Sequence, residues 1–170
     1  MTTHFRTLTV LRWALLAVVS LCAYLIESVV LGGHTFLGGR ISLLPVAAVC
    51  TALLTGAEPG GLFCLICGIF YAFTGADMGV ITLVAITFTG ALAGGACQIF
   101  IRRHLVPAVL FSALALLLSD GLIYVLKAFF SVSAGVQPLQ VLAGMGLSLL
   151  SVFVFFPLCY WISRIGGEAR

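Results

Sequence analysis

The chain has 170 residues, 62% of them hydrophobic and 8% charged, and its formal charge of +3 comes from eight lysines and arginines against five acids. Soluble domains carry about 25% charged residues, so this composition, with a mean hydropathy of +1.27, excludes a soluble globular protein and leaves no basic patch for nucleic acid. The length accommodates about six spans of ~20 residues and no sizeable extramembrane domain, so the expectation is a single transmembrane domain over residues 1–170.

The first span is expected over residues 11–31, with Glu27 near its far end. The preceding MTTHFRTLTVLRW resembles the basic region of a signal peptide. The apolar run is too long for one, however, and lacks a small-residue cleavage site, so it reads as a retained helix. A loop rich in glycine, from Gly32-Gly33-His34 to Gly38-Gly39-Arg40, leads to spans over 41–55 and 60–74. Both are short for a core that takes ~20 residues per helix. Two arrangements fit: crossings with little tilt in a locally thinned bilayer, or a re-entrant pair shielded by other helices. Their glycine- and proline-rich hinge over 56–61 reads as a turn.

Gly61, Gly68 and Gly75 recur every seven residues, which on a helix aligns three notches in one stripe where another backbone can lie. After the polar knot Gly75-Ala76-Asp77 comes a fourth span over 79–101, opening at Gly79 and carrying Gly90-x-x-x-Gly94. This small-x-x-x-small spacing lets membrane helices approach closely. All six glycines are helix-packing candidates. A fifth span is expected over 106–129 and a sixth over 138–162, where Pro157 should kink the last turns because it lacks an N–H and crowds the turn before it.

With the N-terminus inside, Arg6, Arg12, Arg102, Arg103, Arg164 and Arg170 fall on the cytoplasmic side and only Arg40 and Lys127 outside. That asymmetry favours cytoplasmic N- and C-termini, with Arg6, Arg12, Arg102 and Arg103 as the topology-setting residues.

Chemistry-bearing motifs are few. There is no Walker loop, no His-Glu-x-x-His and no Gly-x-Ser-x-Gly, so no enzyme class is indicated and no cofactor is expected. His4, His34 and His104 fall on opposite sides of the membrane in this topology and share no metal site. The six cysteines lie in apolar runs, where a thiol serves as a small hydrophobe. Glu27 and Asp120 are intramembrane acids, which should face protein or water because lipid exposure is costly. Asp120 is expected to be the more deeply placed, with Tyr124 one turn and Lys127 two turns along the same helix face. This polar stripe fits either a substrate or partner contact or an interhelical hydrogen bond.

Across nearly its whole length the pattern resembles the MreD family of rod shape-determining membrane proteins. The similar features are Glu27-Ser28 closing an apolar first span, a glycine-bearing loop, Gly61, Gly68-Ile-Phe-Tyr71, Gly75, Met78-Gly79, Gly90-Ala-Leu-Ala-Gly94 and Arg102-Arg103. The chain departs from the family at Ile41-Ser42, where Pro-Asp is usual, and at Ala72, where an acid is usual. The resemblance implies an all-α membrane protein, a compact bundle of six transmembrane helices akin to the substrate-binding subunits (S-components) of ECF vitamin transporters. It further implies a non-enzymatic scaffold in the bacterial cytoplasmic membrane that binds an MreC-like protein and, through it, MreB, RodA and a class B penicillin-binding protein. A vitamin-capturing subunit of an ECF-type transporter is the alternative.

Overall fold

The computed structural model describes residues 2–31, 41–73, 79–99, 105–129 and 138–164. Every regular element among them is helical. Helix α1 (Thr2–Leu25) runs on into a π-helical turn (Ile26–Leu31), followed by α2 (Leu44–Thr55), α3 (Ala57–Phe73), α4 (Gly79–Ile99), α5 (Leu105–Phe129), α6 (Pro138–Leu150) and α7 (Val152–Arg164). Among the described residues four stretches are long and apolar enough to cross a membrane: Val10–Val29, Gly79–Cys97, Leu105–Leu126 and Leu139–Arg164. Large apolar side chains such as Phe73, Val80 and Leu110 cover the outside, as expected when the solvent is lipid. The chain is a helical membrane protein.

Helices α2 and α3 are shorter, at 12 and 17 residues. At ~1.5 Å per residue α2 reaches only about 18 Å, against ~30 Å of hydrocarbon. Its position makes that length acceptable. Every residue from Leu44 to Leu54 is buried, with α1, α3, α4, α5 and α7 packed around it. A helix that meets only protein need not match the bilayer, but its backbone ends must be satisfied internally.

The turn between α2 and α3 is tighter than the hinge expected over 56–61. It is made at Gly56, whose φ of 102° is a left-handed conformation that glycine adopts without a Cβ penalty. Glu58, Pro59, Gly60 and Gly61 already belong to α3. Pro59 is tolerated there because the first turn of a helix has no acceptor for its N–H.

Helices α3 and α4 run antiparallel along their lengths. A Cβ on Gly79 would stand 2.7 Å from Ala72 Cα, one on Gly68 3.1 Å from Leu83 Cα, one on Gly61 3.4 Å from Ala91 Cβ and one on Gly94 2.6 Å from the Gly56 carbonyl. A Cβ on Gly90 would overlap the Cys64 side chain. Gly60, absent from the expected packing set, is as close to α2, 2.6 Å from Ala52 Cα. Gly75 lies outside the described residues. Side-chain-free positions thus bring α2, α3 and α4 to near backbone contact, where dispersion is gained without a hydrophobic drive.

The expected sixth span is two helices joined at Ser151. Its N–H and Oγ both donate to the Ser148 carbonyl, at 3.1 and 2.6 Å, in place of a regular helical bond four residues back. Two physical effects act on this stretch. Serine hydroxyls compete for helix carbonyls and bend the helix, and Pro157, inside α7, crowds the carbonyl four residues before it, at Phe153. The interruption lies about six residues before Pro157, which itself stands inside α7.

Candidate functional site

The local sequence offers α2 no capping side chain: Leu43 holds the cap position, with no side-chain hydrogen bond to the helix. The cap comes from elsewhere in the chain. Glu27, on the π-helical turn, places Oε2 where it accepts both the Leu43 and the Leu44 N–H, each at 2.9 Å. Ser148 of α6 accepts the Ser42 N–H at 2.9 Å through its Oγ and donates to the Gly144 carbonyl at 2.8 Å. Pro45 has no N–H to satisfy. Three successive backbone donors of a buried helix start are thus met by one carboxylate and one hydroxyl from two other helices.

Electrostatics favours this arrangement. A helix N-terminus carries roughly half a positive charge, so a carboxylate beside it is stabilised, and hydrogen bonds to an ionised acceptor are about twice as strong as neutral ones. Glu27 is 4% exposed, so Oε2 makes both bonds inside the bundle.

Burial against protein distinguishes the two acids. Asp120, expected to be the deepest acid, is half-buried, as is Tyr124, whereas Glu27 near the end of its span is buried. Sequence position measures height along a helix, while burial depends on which way the helix faces. The side chains of Lys127 and Arg6 lie outside the described residues, as do Arg102 and Arg103 altogether. Arg12, counted among the surface charges, is 7% exposed, so protein surrounds its guanidinium stem. Arg164 is exposed and stands 5.7 Å over the Tyr160 ring, a cation–π placement.

Cys50, Cys64, Cys67 and Cys159 are buried. Cys64 Sγ donates to the Ala48 carbonyl at 3.4 Å, and Cys159 Sγ meets Thr51 Oγ1 at 3.8 Å, so thiols tie α3 and α7 to α2. Among the described residues no three His, Cys, Asp or Glu side chains are grouped to hold a metal ion.

The residues that sequence reasoning missed are Ser42, Ser148 and Gly60. Ser148 has no distinguishing local pattern. Gly60 sits in the Pro59-Gly60-Gly61 run, which reads as a turn and so conceals a packing position. No family model, curated protein or solved structure significantly matches this chain.

Proposed function

We propose that this protein is a non-enzymatic scaffold of the bacterial cell-elongation (rod) complex, of the MreD type. In this reading it sits in the cytoplasmic membrane with both termini inside. Helices α2 and α3 complete six crossings in a bundle akin to that of ECF S-components. Its partner is an MreC-like protein, which links it to MreB, RodA and a class B penicillin-binding protein, and no catalytic step or cofactor enters.

The observation that supports a structural role is how the most buried acid among the described residues is used. Glu27 Oε2 is bound to the Leu43 and Leu44 N–H groups at the start of a central helix that is buried from Leu44 to Leu54. The MreD pattern in Gly61, Gly68, Met78-Gly79 and Gly90-x-x-x-Gly94 supplies the rest of the reading.

Affinity purification from the native membrane tests it. The expected result is recovery of an MreC-like protein, in amounts that follow the folded scaffold. Recovery of a bound vitamin together with an ATP-driven energising module, and no MreC-like protein, would overturn the scaffold reading in favour of a capture subunit.

A further inference from the structure

We draw no further inference here: the strongest candidate, the flank of α5 where half-buried Asp120 and Tyr124 stand beside Gly121, whose Cβ would meet only Leu117 of the same helix at 3.9 Å, carries no proposal because nothing in the structure shows what covers that flank.

Discussion

Glu27 shows how an acidic side chain is accommodated inside a membrane protein by the backbone of another helix. Its side chain is buried, and Oε2 accepts two amide protons at a helix start, where its charge complements the positive end of the helix dipole. Replacement by glutamine keeps a carbonyl oxygen able to accept both protons and removes only the charge assistance. Glu27→Gln should therefore cost about 1–2 kcal/mol. Glu27→Ala leaves two buried N–H groups without an acceptor, at about 1–3 kcal/mol each, and should cost at least twice as much. Chemical denaturation in mixed micelles measures both. Equal stability of Glu27→Ala and wild type would show that water or another group replaces the carboxylate.

Between elements, glycines set the spacing, and the geometry ranks them. Gly94→Ala and Gly60→Ala would drive a methyl into backbone atoms of Gly56 and Ala52, each 2.6 Å away, which cannot yield by changing rotamer. Overpacking of this kind costs about 1–3 kcal/mol, and both variants should lose folded yield in detergent. Gly68→Ala meets Leu83 Cα at 3.1 Å and should be milder, with Gly68→Leu much worse. Gly61→Ala, 3.4 Å from Ala91 Cβ, should be nearly neutral. Thermal unfolding across this series should follow that order. A series in which Gly61→Ala is as damaging as Gly94→Ala would place the close approach elsewhere.

For the whole molecule, the proposed orientation with both termini inside rests on charges flanking the helices in sequence, above all Arg102 and Arg103. A His104→Cys variant with Cys22 and Cys97 replaced by alanine should resist membrane-impermeant thiol reagents in intact cells and react once the cells are opened. The buried Cys50, Cys64, Cys67 and Cys159 should not react in the folded protein. Labelling of His104→Cys from outside would invert the topology. The burial of Arg12 bears on the same balance, because a cation engaged within the bundle is a weaker anchor at the membrane surface than one free to snorkel to the headgroups.

Composition and apolar run length by themselves determined that this is a helical membrane protein, and glycine spacing pointed to positions along α3 and α4. Both properties are local, since hydropathy accumulates along the chain and the 3.6-residue period assigns residues to a face without reference to other helices. Only the tertiary structure decided that α2 lies at the centre and that its start is capped by Glu27 and Ser148. Those partners are 16 and 106 residues away from the Leu43 and Ser42 amides they bind, and no local pattern announces a cap supplied from another helix. The same reason hid Gly60, whose turn-like neighbours Pro59 and Gly61 concealed a contact with Ala52. It also decided that Glu27 is buried while Asp120 is only half-buried, because distance from a span's end measures height in the membrane, whereas burial is decided by the helices packed alongside.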